Sequence, residues 1–300
     1  MQVDVVVLAL LTAMSWGASA PLSKLGMNEG GRPIQAALTV VAVSVVAYGT
    51  VILVRGETLL GYPLWVVGLF AATGLAATAL ARALAYNGVE RLGASVNSAG
   101  INTRPVWASL LAVFLLGEAL TAQMGLGILV VVAGLIALAL SEGGDVTGWE
   151  YHQLAFPLAA AVTFAGGNVA RRFALTTTDV TPLAGVAVNE TAGLVGLLVY
   201  LLLRHRGDVG TALAAPRRAY AYFVGSGLLN ALALFSLFAA LDRGRVVVVD
   251  PLSSPTALFA ILLTAVLLLD VERITPRLVA GGVLVVTGVV LITGPQLLVL

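Results

Sequence analysis

Long apolar runs, broken by short polar ones, organise the chain. A membrane-spanning helix needs roughly 20 apolar residues, and ten runs approach that length. They are Val5–Leu25, Pro33–Val54, Trp65–Val89, Ala94–Leu116 and Gln123–Leu140, then Gln153–Leu175, Pro182–Leu203, Ala221–Leu241, Val246–Leu269 and Pro276–Thr293. We refer to them as spans one to ten. The longest polar stretches, Ser141–Glu150 and Arg204–Arg218, leave no room for a domain outside the membrane. Ala18-Ser19-Ala20 has the look of a signal-peptide cleavage site, but Met1-Gln2-Val3-Asp4 carries no positive charge ahead of it. The first run is therefore expected to be a span.

Composition sharpens this picture. Hydrophobic residues make up 59% of the 300 and charged residues 10%, against about 25% charged in an ordinary soluble domain. Mean hydropathy is +1.02. That much apolar surface cannot be hidden from water by a soluble fold of this size. The net charge of +1 gives no electrostatic footprint for nucleic acid. Cysteine is absent and the two histidines, His152 and His205, stand at segment ends. Disulfides, iron–sulfur clusters and thiolate zinc are thus excluded, and no cofactor is expected.

The pattern repeats at a spacing near 150. Gly117-Glu118-Ala119-Leu120-Thr121 before the fifth span matches Val271-Glu272-Arg273-Ile274-Thr275 before the tenth, and Gly127 and Gly134 then match Gly281 and Gly288. Pro33 matches Pro182, Arg55 matches Arg204, and Ser15-Trp16-Gly17 with Lys24 answers Thr163-Phe164-Ala165 with Arg172. We therefore divide the chain at 1–140 and 151–300. Each half has five spans, an odd number, so the second enters the membrane with opposite orientation. The expected fold is an all-α integral membrane protein of ten transmembrane helices, arranged as two inverted five-helix repeats, a common plan in secondary transporters.

These motifs resemble those of the drug/metabolite transporter superfamily, and within it the EamA family. The resemblance rests on Ser15-Trp16-Gly17 with Lys24, on Pro105 followed by Leu115-Leu116-Gly117-Glu118, on Gln123 and Gly134, and on Glu272, Gly281 and Gly288. It implies a central cavity, transport (often export) of amino acids or other small metabolites, and both termini in the cytoplasm. The second half departs from the family pattern, with Asp270-Val271-Glu272 in place of Gly-Glu and Phe164-Ala165 in place of Trp-Gly. Counting Lys and Arg in short loops points the other way on orientation. Arg55, Arg171, Arg172, Arg243 and Arg245 lie on the N-terminal side, and the opposite side carries more. We follow the resemblance.

Charge at bilayer depth costs a few kcal/mol, about 2.5–3.5 on insertion scales, and needs a reason. Arg104 lies mid-way along the fourth span, Glu190 beside Asn189 in the seventh, and Arg82 inside the third. They sum to one positive charge, which a bound anion would balance, and a guanidinium fork suits a carboxylate. Arg104 or Arg82 is expected to hold that carboxylate, with Glu190 as counter-charge, amine ligand or proton carrier. The structural alternative is an Arg–Glu pair locking helices together. Asn97 and Arg104 are seven apart and share a helix face, with Ser98, Asn102 and Pro105 on the neighbouring one. Proline breaks at Pro105 and at Pro251 and Pro255 stand in corresponding spans, which points to spans four and nine as cavity walls. The candidate substrate-binding set is Arg104, Glu190, Asn97, Asn102, Asn189, Arg82, Trp107 and Trp16, the two tryptophans as stacking surfaces.

Blander readings apply elsewhere. Thr12, Ser15, Ser19 and Ser23 suit close helix packing, and Asn230 suits a bond between helices. Arg171, Arg172 and Lys24 read as helix-end residues reaching for the interface, and Trp65 and Trp149 as interface anchors. Glu118 and Glu272 read as acidic residues near the N-termini of spans five and ten, with Thr121 and Thr275 as caps. The expected partners are a small-molecule substrate and the lipid bilayer, with no nucleic acid and with room for a homodimer. The leading function is a secondary transporter in the cell membrane. No phosphate-binding loop for ATP is present. A non-transporting scaffold and an intramembrane enzyme are the alternatives; the latter lacks a nucleophile–base pair.

Overall fold

The computed structural model describes residues 3–58, 61–92, 94–141, 150–204, 213–256, 258–260 and 276–297, together with 210 and 263. Glu272 and Thr275, Trp149 and most of the Ser141–Glu150 connector lie outside them. All regular structure among the described residues is helical. α1 (Val3–Asn28) and α2 (Pro33–Arg55) are the first two spans. The third is α3 (Leu64–Thr73), a π-helical segment (Gly74–Leu80) and α4 (Ala81–Leu92). The fourth is split into α5 (Ala94–Ile101) and α6 (Arg104–Leu116). Then follow α7 (Ala122–Ser141), α8 (Ala155–Thr177), α9 (Pro182–Arg204), α10 (Arg217–Arg243), α11 (Val246–Ser253) and α12 (Pro276–Leu297). Among the described residues, eight helices are each long and apolar enough to cross a membrane; shorter apolar helices, Val246–Ala260 and Ala280–Thr293, fall on the ninth and tenth spans.

The packing is that of an inverted pair. The first span packs on the eighth, and the sixth on the third. The second packs on the eighth, and the seventh on the third; the fourth packs on the sixth, and the ninth on the first. Spans two and seven, four and nine, and five and ten each meet their own equivalents. Such reciprocity is what a two-fold relation between halves produces.

The fifth and tenth spans show it at atomic detail. Gly127 and Gly134 correspond in sequence to Gly281 and Gly288, yet in space Gly127 faces Gly288 and Gly134 faces Gly281. A Cβ on Gly134 would sit 2.8 Å from the Gly281 carbonyl oxygen, and one on Gly288 would sit 2.6 Å from that of Gly127. The four glycines let two backbones touch, the usual way helices pack tightly in lipid. The outer surface is apolar, as a lipid-facing one must be: Leu53 is 82% exposed and Phe114 81%.

Helix ends follow local chemistry. Gly117 ends α6 in the left-handed conformation (φ 66°), where a side chain would be strained. The turn delivers Glu118 to α11, not to the fifth span that follows it. Its carboxylate accepts the backbone N–H of Val246 at 2.9 Å and of Val247 at 3.0 Å. The expectation that Glu118 serves the fifth span is therefore corrected: it caps the ninth. Thr121 does cap α7, accepting the Met124 N–H at 3.2 Å. Ser19 and Ser23 each share a hydrogen bond with the Ser226 hydroxyl at 2.7 Å, tying α1 to α10 as small polar residues in membranes do.

Candidate functional site

The broken spans meet at the centre. Pro105 and Pro255 interrupt the fourth and ninth spans, and the residues directly before them, Arg104 and Ser254, are joined by an Nη2-to-Oγ hydrogen bond of 2.8 Å. Arg104 Nε also donates to Asp250 Oδ2 at 3.2 Å. Asp250 is wholly buried, and its other oxygen accepts from Asn168 Nδ2 at 2.5 Å. Asn168 Oδ1 accepts from Arg171 at 2.9 Å. Arg171 then donates twice to Asn189 Oδ1, at 3.2 and 3.0 Å. Asn189 Nδ2 and the Thr78 hydroxyl both donate to Glu190 Oε1, at 3.3 and 3.0 Å. One polar chain thus runs from Arg104 to Glu190 through five spans.

A cavity of about 440 Å³ lies along this chain, large enough for a small metabolite. Arg82, Arg104, Arg171 and Glu190 border it, with Ser98, Asn102, Asn168 and Thr78. Trp16, Phe164, Ile101, Leu234 and Leu237 supply its apolar wall. The Arg82 guanidinium makes no hydrogen bond among the described residues; Glu190 acts on it by charge, without an ion-pair contact. Glu190 Oε2 is buried and has no hydrogen-bond partner among them.

The third span is shaped for this contact. Its π-helical turn, Gly74–Leu80, carries Thr78 to Glu190. Such turns widen a helix locally and recur at functional sites. A Cβ on Gly74 would lie 2.0 Å from the Asn189 carbonyl oxygen, so only glycine lets the third span lie this close to the seventh.

Several expectations need correction. Of the two arginines offered as partners of Glu190, Arg104 pairs instead with Asp250, while Arg82 and Arg171 are the charges that act on Glu190. Asn97 does not line the cavity. The fourth span breaks at Asn102-Thr103, so a seven-residue spacing no longer keeps one face, and Asn97 packs against Gly88 with its Oδ1 unpaired among the described residues. Trp107 is not in the wall of that cavity either. The buried face of α6 is Pro105, Ala108, Ser109 and Ala112; Trp107 projects from the opposite side, exposed, with its indole N–H on Thr103 Oγ1. Asn189 stands behind the cavity wall and positions Arg171 and Glu190. Arg171 does not reach for the interface: it is 4% exposed, with its guanidinium 5.2 Å from the centre of the Phe238 ring. Arg104, Glu190, Asn102, Arg82 and Trp16 do border the cavity together. Asn102 also donates to the Leu135 carbonyl at 3.2 Å.

On the face that carries the start of α1, polar contacts tie the helix ends together. Asp4 pairs with Arg243 at 3.0 Å, and Arg245 donates to the Ala119 carbonyl at 3.1 Å. Arg172 donates to the carbonyls of Leu241 and Asp242 at 2.7 and 2.8 Å, and lies 4.0 Å from Glu118.

Comparison with known proteins fits this doubled architecture. The EamA-like transporter family matches residues 5–140 and again residues 153–294. The chain belongs to that family. This EamA-like transporter is a multi-pass membrane protein of the drug/metabolite transporter type. A solved crystal structure superposes on it with a TM-score of 0.80 at 18% sequence identity, covering 98% of each chain; at that identity the likeness is one of fold. A search of curated proteins finds no significant match.

Proposed function

We propose that this EamA-like transporter is a secondary carrier of small carboxylate-bearing metabolites, amino-acid-like or simple organic anions, exporting them by alternating access between its two repeats, 1–140 and 151–300. The observation that carries the reading is the charge balance around the cavity. Arg82, Arg104 and Arg171 face Glu190 and Asp250, leaving one positive charge over, and Arg82 has no hydrogen bond among the described residues. A guanidinium held at membrane depth without a hydrogen-bonded partner is costly unless something occupies it in the working cycle. A carboxylate fits its fork. Trp16, Phe164 and Leu237 offer apolar surface to the rest of such a molecule.

Glu190 is then the candidate for coupling. It borders the cavity, and its Oε2, buried without a hydrogen-bond partner among the described residues, is the atom a proton or a substrate ammonium would satisfy. If Glu190→Gln leaves transport rate and its pH dependence unchanged in proteoliposomes, the coupling role is wrong. Both termini are assigned to the cytoplasm of a cell-membrane protein, following the family. Labelling of Asn28→Cys, at the exposed end of α1, by a membrane-impermeant thiol reagent tests this: reaction from outside whole cells is expected, and reaction only after permeabilisation would reverse the assignment. The scaffold alternative requires the charges at membrane depth to pair with each other, and Arg82, half-buried at the cavity wall, makes no hydrogen bond or ion pair among the described residues.

A further inference from the structure

A second cavity, of about 370 Å³, adjoins the first. The two share Trp16, Ala20 and Arg82 in their walls. The second cavity runs from Arg82 to Met27 and Pro33, where α1 ends and α2 begins. It therefore leads from the central cavity toward the face opposite the start of α1. Its polar lining is Ser19, Ser23, Ser226 and Asn230. Among the described residues that border it, Arg82 alone is charged.

The lining sets it apart from the central cavity. It has no carboxylate in its described wall, whereas the central one has Glu190. Its wall also meets that of the central cavity at Trp16, whose ring is held in place. The Trp16 indole N–H donates to Asn230 Oδ1 at 3.0 Å, and Asn230 Nδ2 donates to the Ser44 hydroxyl at 3.0 Å. That chain fixes the ring as a wall common to both spaces. The Arg82 guanidinium borders both, with no hydrogen bond of its own among the described residues.

We propose that the second cavity is a separate anion-binding station on the transport path, and that Arg82 serves both stations in turn, passing a small monoanion around Trp16. The proposal rests on the anion-carrier reading above and extends it to where the anion waits before or after the central site. A lone positive charge between low-dielectric walls concentrates anions and repels cations. The Ser19 and Ser23 hydroxyls each share a 2.7 Å bond with that of Ser226; Ser19 and Ser226 also reach each other's backbone carbonyl at 3.1 Å, so the Ser23 hydroxyl is the one whose proton can turn toward an anion while it accepts from Ser226.

The test uses the absence of native cysteine. Ser23→Cys places one thiol in the second cavity, and Asn28→Cys places one on the exposed surface at the same face. Each is reacted with a sulfonate-bearing and with a trimethylammonium-bearing methanethiosulfonate, in the full-length protein in proteoliposomes. The anionic-to-cationic rate ratio at Ser23→Cys, divided by that at Asn28→Cys, is expected to be about tenfold, within the range that focused fields produce. Adding Arg82→Gln should return it to about one. A ratio at or below one, a ratio that Arg82→Gln leaves unchanged, or no reaction at Ser23→Cys with either reagent would overturn the station. The ratio needs no transport, so the two readings fail separately: loss of anion transport with the ratio intact would count against the carrier function alone.

Discussion

Arg104 donates to Ser254 across 2.8 Å, and each residue stands directly before the proline that breaks its own half of the fold. The two halves therefore meet where their proline-broken spans, the fourth and the ninth, touch. The Arg104–Asp250 ion pair lies beside that contact.

That ion pair should behave as a buried one. Removing a single partner strands the other charge, which costs about 3–5 kcal/mol. Arg104→Gln and Asp250→Asn are each expected to lower thermal stability in detergent strongly, and the double variant to lose less than the sum of the two. Strict additivity would mean that the two residues are not coupled.

Glu118 is expected to act as a helix cap on another span. Glu118→Ala should cost about 1–2 kcal/mol, the range for a lost N-cap, with Glu118→Gln milder because one acceptor remains. Thermal unfolding of the two variants checks this; no change in either would remove the capping role.

The glycine contacts give a steric expectation. Gly74→Ala places a methyl 2.0 Å from the Asn189 carbonyl oxygen, so the third and seventh spans must separate. Loss of folded yield or of ligand response is expected, whereas Gly68→Ala, with nothing within 4 Å of its Cβ, should be neutral. Equal behaviour of the two would contradict the close packing seen here.

The two tryptophans should part company. Trp107→Phe is expected to leave transport unchanged, since Trp107 stands outside the wall of the central cavity, while Trp16→Phe should reduce it several-fold by releasing Asn230. Ligand counterflow in proteoliposomes distinguishes them, and an equal loss in both would return Trp107 to the site.

Most of the fold was legible in the sequence because a span advertises itself by length and apolar content, and the repeat by ordered matches such as Gly127 with Gly281. The site was legible only in part. Arg82, Arg104 and Glu190 stand out as charge in an apolar run, but facing does not. A span is apolar toward lipid and toward protein alike, so no amphipathic stripe distinguishes Trp16 from Trp107. The spacing of Asn97 and Arg104 does not place them on one face, because the break at Asn102-Thr103 resets the helical phase. Arg171 looked like a helix-end residue because its partners, Asn168 and Asn189, are amides on two different spans. Asp250 was visible only as part of a proline-rich break; its pairing with Arg104, about half the chain away, has no local signal. The π-helical turn at Gly74–Leu80 likewise leaves no mark in the pattern.

The most direct test of the anion site is a thermal-stability titration of purified protein with amino acids and small organic monoanions, run in parallel on wild type and Arg82→Gln. A ligand that binds only the folded state raises stability once its concentration passes its dissociation constant. We expect at least one carboxylate-bearing compound to stabilise the wild type and to lose that effect in Arg82→Gln, while the variant without ligand unfolds at nearly the wild-type temperature. Stabilisation by carboxylates that is undiminished in Arg82→Gln, or by cations in preference to anions, would contradict it.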